Sequence, residues 1–190
     1  MIYLVRHGET VWNTLGRYQG IKDSPLTPHG VRQANTVATL LRREISGSGQ
    51  SFELCVSPLG RAQETAALLQ SVLQINKSDD ERLREVSAGS WDGLTTFEIE
   101  NEFPGMLRGS TAYDWYFKSP DGESFDQACD RARAWLKSIH KPTVAVSHGL
   151  FGRILRGVYS GLSKEEMIEL TVPQDGFFAL EDGAVRAVSC

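Results

Sequence analysis

This sequence predicts an α/β fold: a three-layer α/β/α sandwich around a mostly parallel central sheet, with an antiparallel edge strand or hairpin near the C-terminus and a lid-like insertion. Three observations predict it. Short β-branched and aliphatic runs at 2–5, 52–56 and 143–147 alternate with segments of helical apolar spacing, and such alternation implies parallel strands joined by right-handed crossovers. Each run ends in a polar tip containing Gly. Near the C-terminus, Asp182-Gly183 separates two further apolar runs, the signature of a tight hairpin.

The elements follow in order. After the first strand and a loop to Leu26, Thr27-Pro28 supplies an N-cap and a first-turn proline, and Val31, Ala34, Val37, Ala38 and Leu41 recur at helical spacing. The Ser46 to Ser51 stretch reads as a flexible connector. Although it contains Gly-x-Gly, the third glycine of a dinucleotide fingerprint is missing and no strand precedes it. A second strand at 52–56 leads into a helix at 61–73 with Ala62, Ala66, Leu69 and Val72 on one face. Residues 83–121 show no sheet period and many turn residues, with a short helix at 95–103. The segment holds Trp91, Phe97, Phe103, Tyr113, Trp115, Tyr116 and Phe117, and long irregular segments in compact domains are usually lids or binding loops. Trp91 and Phe97 also suit plain core filling. A helix at 123–139 with Phe125, Ala128, Cys129, Ala132 and Leu136 inward precedes the third strand, and a helix running to Tyr159 follows it. The tail adds a short helix near 164–170 and the hairpin strands 177–180 and 184–188.

With 190 residues and 41% hydrophobic content, the chain is expected to be a single domain spanning 1–190, residues about 93–122 forming the lid or specificity insertion. A net charge of -4, without basic clustering among the 20 Lys and Arg, argues against nucleic acid or an anionic membrane surface as partner. Cys55, Cys129 and Cys190 are isolated, odd in number and without CxxC spacing, which supports neither a disulfide framework nor a zinc cluster. No stretch approaches membrane-spanning length, and the strand beginning at Ile2 leaves no room for a signal sequence, so a cytoplasmic location is expected.

In a parallel sheet the three tips share one edge, where open α/β sheets bind ligands. Arg6-His7, Ser57 through Arg61 and His148-Gly149 then bring two His and two Arg together, an anion site by charge alone. Arginine matches phosphate oxygens bidentately, and the helix N-termini after the tips offer further N–H donors. A metal reading fails on the chemistry, because two guanidinium charges repel a divalent ion and no HExxH or carboxylate-rich spacing is present. His29 and His140 read as surface residues, and Glu9 and Thr10 as shapers of the first loop.

Arg6-His7-Gly8-Glu9-Thr10, the Ser57 to Ala66 run, the Glu85 to Gly93 run and Ser147-His148-Gly149 occur in this order across nearly the whole chain. Together with Ser24-Pro25-Leu26-Thr27, Gly30 and Gln33-Ala34, they resemble the histidine phosphatase superfamily, the phosphoglycerate mutase-like fold. The resemblance implies that His7 is the nucleophile that becomes phosphorylated, with Arg6, Arg61 and His148 gripping the phosphoryl oxygens and Glu85 as proton donor. By the same match Asn13 touches phosphate, Gln19 and Gly20 line the entrance, and Gly149 belongs to the substrate-binding set. No cofactor and no metal are implied.

The chemistry is coherent on its own terms. Neutral imidazole is a competent nucleophile near neutral pH, and flanking Arg charge keeps it unprotonated until substrate arrives. The leaving alkoxide needs a proton, either Glu85's own or one brought by the substrate. Mutases of the superfamily hold a phosphoglycerate carboxylate with extra basic residues after the Trp-x-Gly block, whereas here only Arg108 and Lys118 lie between Gly93 and Gly122. Aromatic residues dominate instead. A phosphomonoesterase acting on a small organic phosphate is therefore the leading expectation, ahead of mutase-type phosphoryl transfer. A non-catalytic phospho-ligand or protein-binding module comes last, since every chemical residue is retained.

Overall fold

The computed structural model describes residues 1–111 and 114–189. In chain order the elements are β1 (Ile2–Arg6), α1 (Val11–Thr14), α2 (Pro28–Ser48), β2 (Glu53–Val56), α3 (Gly60–Leu73), β3 (Lys77–Asp79), α4 (Thr96–Glu102), α5 (Phe125–Ser138), β4 (Thr143–Ser147), α6 (Gly149–Ser160), α7 (Lys164–Glu169), β5 (Gly176–Glu181) and β6 (Ala184–Ser189). Among the described residues the strands form one sheet in the order β3-β2-β4-β1-β5-β6. The first four of these are mutually parallel, and β5 and β6 add the antiparallel edge.

The sheet's two faces follow from the two-residue period of strand side chains. Tyr3 and Val5 of β1 join Leu54, Val56, Val144 and Val146 beneath α2 and α3, whose Val37, Ala38, Leu41, Ala62, Ala66 and Leu69 complete that core. Ile2 and Leu4 face the other way with Cys55 and Ala145, against Ala128, Cys129, Ala132 and Trp135 of α5 and Phe151, Ile154 and Leu155 of α6. The three layers of the expected sandwich are thus two helical layers, each with its own core, on either side of one sheet. Removing one fully buried Leu, such as Leu69, costs about 2–5 kcal/mol in cores of this kind.

Several local expectations need correction. β3 was absent from the sequence reading because Lys77, Ser78 and Asp79 are all exposed. A solvated edge strand has no apolar face to announce it. The connector expected from Ser46 to Ser51 is partly helical: α2 continues through Ser48 and stops at Gly49, which sits at φ +64°. Ser48 Oγ donates to the Ile45 carbonyl at 2.8 Å, so the small residues extend the last turn until the left-handed glycine ends it. Trp135, omitted from the inward face of α5, is fully buried, while Val31 of α2 and Phe97 of α4 are exposed, Phe97 at 74%.

The irregular region between β3 and α5 carries a small core of its own. Trp91, Ile99, Trp115 and Ala88 pack together with Tyr18, Leu94 and Phe103 around them. α4 is closed by a reciprocal capping box between Thr95 and Glu98, and a 3-10 turn at Asp114–Lys118 carries Trp115, Tyr116 and Phe117. Tyr113 lies outside the described residues.

Candidate active site

His7 follows the last residue of β1. Its N–H continues the ladder to the Ser147 carbonyl of β4 at 3.0 Å. The ring is buried, and Nδ1 lies 2.8 Å from the carbonyl of Gly8. A carbonyl can only accept, so Nδ1 carries the proton and Nε2 is the unprotonated nitrogen, which accepts from Arg61 Nε at 3.2 Å. Burial above all, then the charges of Arg61 and Arg6, holds this imidazole well below the usual histidine pKa of 6.5. The result is a neutral ring presenting one nucleophilic nitrogen. The loop beyond depends on glycine: a β-carbon on Gly8 would sit 2.4 Å from the Gly30 carbonyl oxygen, and one on Gly30 would strike the backbone of Glu9.

His148, at the tip of β4, lies with its ring centroid 5.3 Å from that of His7. Its Nε2 is 2.6 Å from Ser57 Oγ at the tip of β2. Ser57 Oγ also accepts from the Leu59 N–H; where its own hydrogen goes to His148 Nε2, the ring's Nδ1 is the protonated nitrogen. That Nδ1 is buried without a partner. Burial, followed by the charge of Arg61, keeps this ring neutral as well.

The two arginines are pinned from different sides. Arg61, only 1% exposed, donates through Nη1 to the Lys22 carbonyl and Asp23 and through Nη2 to the Gly20 carbonyl. Arg6 donates through Nη1 to the Val172 carbonyl at 2.6 Å, and its Nε is buried without a partner. Burial lowers the pKa of both guanidinium groups, and the charge of Glu85 opposes that shift in each.

Glu85 occupies the N-terminus of α6. Its carboxylate accepts from Phe151 N at 2.8 Å, Leu150 N at 3.2 Å and Val86 N at 2.9 Å. At the other helix following a tip, Asp23 accepts from the Gly60 and Arg61 N–H groups of α3. The sequence reading offered both helix N-termini to a bound anion. Instead the protein's own carboxylates take them, as the partial positive charge there favours.

Arg6, His7, Asn13, Gln19, Gly20, Arg61, Glu85 and Gly149 line one cavity of about 210 Å³. His148 stands behind it against His7. Asn13 closes the capping box of α1 by accepting the Thr10 N–H. Gln19 Oε1 is a buried acceptor without a partner. Gly20, at φ +51°, lies so close to Asp92 that a β-carbon would overlap its carboxylate. The aromatic segment divides. Trp115 and Tyr116 line the cavity together with Tyr18, their rings 3.8 to 5.7 Å apart, whereas Phe117 turns away to pack edge-on against Phe125.

Several residues that build the site carried no sequence signal. Buried Asp92 accepts from Ala88 N, Ile21 N and Ser87 Oγ, tying the loop that holds Arg61 to the segment that holds Glu85. Gln174 donates to the His7 carbonyl at 3.0 Å. Arg17 forms a bidentate pair with Glu98, and Arg153 joins the cavity wall. Ser57 belongs to the second tip, and its hydroxyl, bonded to His148 and to the Leu59 N–H, has a partner that the linear sequence does not reveal. Among the described residues no group of three or more His, Cys, Asp or Glu is placed to hold a metal ion, and no helix is long and apolar enough to cross a membrane.

Comparison with known proteins agrees with this geometry. A protein of Yersinia pestis named probable phosphoglycerate mutase GpmB is 37% identical over 160 residues, covering 78% of this chain and 69% of its own. The alpha-ribazole phosphatase of Shigella flexneri superposes with a TM-score of 0.81 at 26% identity, over 99% of this chain and 94% of the other. A mycobacterial glucosyl-3-phosphoglycerate phosphatase gives a TM-score of 0.73 at 26% identity, over 93% and 87%. The family model described as histidine phosphatase superfamily (branch 1) matches residues 2–181, and with the tips of β1, β2 and β4 meeting as they do, the chain belongs to that superfamily.

Proposed function

We propose that the protein is a metal-independent phosphomonoesterase that hydrolyses a small organic phosphate through a phosphohistidine on His7. One observation carries the reading: beside a neutral imidazole whose unprotonated Nε2 faces Arg61 Nε, the buried Arg6 Nε and His148 Nδ1 are both without partners. Leaving such donors unsatisfied costs about 1–3 kcal/mol each, and phosphoryl oxygens would satisfy both.

The steps follow from the geometry. His7 Nε2 attacks phosphorus as the bond to the ester oxygen breaks, while Arg6, Arg61 and His148 hold the non-bridging oxygens; catalysis rests on positioning and charge stabilisation. Glu85, engaged by three N–H donors, enters as an acceptor. It takes the proton of the substrate monoanion and passes it to the departing oxygen. In the second half the same carboxylate takes a proton from water as that water displaces the N–P bond and frees phosphate. The aromatic wall of Tyr18, Trp115 and Tyr116 suits an alcohol with an apolar or planar part. A cytoplasmic location, and no nucleic acid or membrane as partner, belong to the same proposal.

Brief mixing with labelled substrate followed by alkaline quench should leave acid-labile, base-stable phosphate on His7, and turnover should persist in EDTA. Label on serine or aspartate, or activity lost to EDTA and restored by magnesium or zinc, overturns the reading. A mutase reading is second. The probable mutase among the relatives favours it, and so does Arg153 in the cavity wall. Against it, neither Arg108 nor Lys118 lines the cavity. Interconversion of 3- and 2-phosphoglycerate faster than phosphate release would make it first.

A further inference from the structure

The segment joining α7 to β5 is held in an unusual way. Three successive carbonyls each accept from a different arginine: Leu170 from Arg153 Nε at 2.6 Å, Thr171 from Arg156 Nη2 at 2.5 Å, and Val172 from Arg6 Nη1 at 2.6 Å. Two residues on, Gln174 donates to the His7 carbonyl and reaches Asn13 Oδ1 at 3.4 Å. One short strap therefore touches the backbone of the nucleophile and fixes one arm of a phosphate-gripping arginine.

Of the three arginines, Arg156 has no place in the reacting cavity. It is 4% exposed, its Nε donates to the Gly152 carbonyl, and its guanidinium lies 3.7 Å over the Phe178 ring of β5. With Arg6, His148, Val172 and Pro173 it lines a void of about 10 Å³ behind the phosphate site. Burial and the charge of Arg153 push its pKa down to about 10, yet at neutral pH it stays a cation. A charge kept there against burial and against another arginine calls for a task, and the task the contacts show is to hold Thr171.

We propose that Arg156 is a positioning residue for the phosphoryl site: through Thr171 it fixes the strap, so that the Val172 carbonyl occupies Arg6 Nη1 and turns the Nε edge of Arg6 toward phosphate. The inference rests on the proposed function only in taking the cavity as a phosphoryl site. A guanidinium has two usable edges, and with Nη1 committed to a carbonyl the remaining edge is the one that can grip. Releasing the strap lets Arg6 rotate, and the pre-set fork is lost.

A double-mutant cycle on inorganic phosphate binding, read by calorimetry, tests this. Arg156→Met should weaken phosphate binding about tenfold, an effect of the size seen between coupled neighbours. Arg156→Lys, which keeps a donor for Thr171 but loses the fork, should recover part of that loss. In an Arg6→Ala background Arg156→Met should change phosphate affinity less than about twofold, because the residue it acts through is gone. Equal factors in both backgrounds would show a merely structural role and overturn the proposal. So would wild-type phosphate affinity in Arg156→Met. Should Arg156→Met fail to fold, the cycle is run with Arg156→Lys under the same criteria. If the wild type binds phosphate but hydrolyses no ester, the hydrolase reading fails while the cycle still reads; if it binds no phosphate, both fail.

Discussion

The floor of the cavity and its aromatic wall are built on different principles. The floor consists of strand tips: His7, Ser57 and His148 directly follow β1, β2 and β4, and their side-chain polar atoms are held by directed hydrogen bonds or, like His148 Nδ1, buried without a partner. The wall, by contrast, is Tyr18, Trp115 and Tyr116, joined to Trp91 by ring stacking and seated on a separate small core. Directed bonds fix atoms to within tenths of an ångström, as phosphoryl transfer requires, while stacking fixes only a shape. The floor should therefore govern the rate and the wall the choice of ester.

The largest effect expected is that of His7→Ala. Loss of a covalent nucleophile should lower turnover of an aryl phosphate on the order of a millionfold, and substantial residual activity would remove the floor from the chemistry. Glu85→Gln comes next. Turnover of an alkyl phosphate should fall about a hundred- to ten-thousand-fold, the range for a general acid. An aryl ester departs as a stabilised anion, so its phosphorylation step should suffer less, and stopped-flow traces should show a burst and then a stall. Equal losses in that step for both esters would take Glu85 out of the proton path.

Arg61→Lys should cost roughly a hundred- to a thousand-fold in kcat, as for one preorganised donor to a developing anion, because lysine cannot serve His7, Gly20 and Asp23 at once. Full activity in this variant would contradict the pinning described. Trp115→Ala probes the wall: KM for an aryl phosphate should rise about tenfold, near the worth of a good aromatic contact, with kcat little changed. A fall in kcat at constant KM would erase the distinction between the regions.

A separate effect concerns stability, not rate, and separates the floor's two histidines from the wall, which has none. Both rings have depressed folded-state pKa values, so their contribution to stability is complete above pH 6.5, where the unfolded chain is also neutral. Below that the unfolded state takes up protons that the folded state refuses, at a cost of up to about 1.4 kcal/mol per pH unit for each histidine. Urea midpoints measured from pH 7 down to 5 should fall, and His148→Gln should flatten the slope. A midpoint that rises on acidification would mean the imidazoles are not buried neutral.

The same division explains what the sequence could show. The floor is legible because each tip lies next to its strand in the chain, so a buried apolar run and a polar residue a few positions later mark both element and site. Three tips and one alternation of strands and helices then place the cluster. The wall has no such register: Tyr18 meets Trp115 across nearly a hundred residues, and which of the ring-bearing residues at 115–117 turns inward depends on packing that no local period encodes. Asp23 and Glu85 at helix N-termini, Asp92 beneath Gly20 and Gln174 behind His7 are single polar residues whose partners are distant. Their identities are readable, but not their neighbours.

β1 is flanked on both sides by late-arriving partners: Ile2 pairs with Thr143 of β4 and with Leu180 of β5. At a synthesis rate of about 5–20 residues per second, the first strand waits roughly 7–30 s before either neighbour has been made. Throughout that interval β1 is an apolar strand without a sheet neighbour, although the helices that will cover it, α2 and α3, are made earlier than β4. β1 can be paired on neither side until residues 143–180 have been made, and a nascent chain stalled short of β4 would leave that apolar strand without a sheet partner.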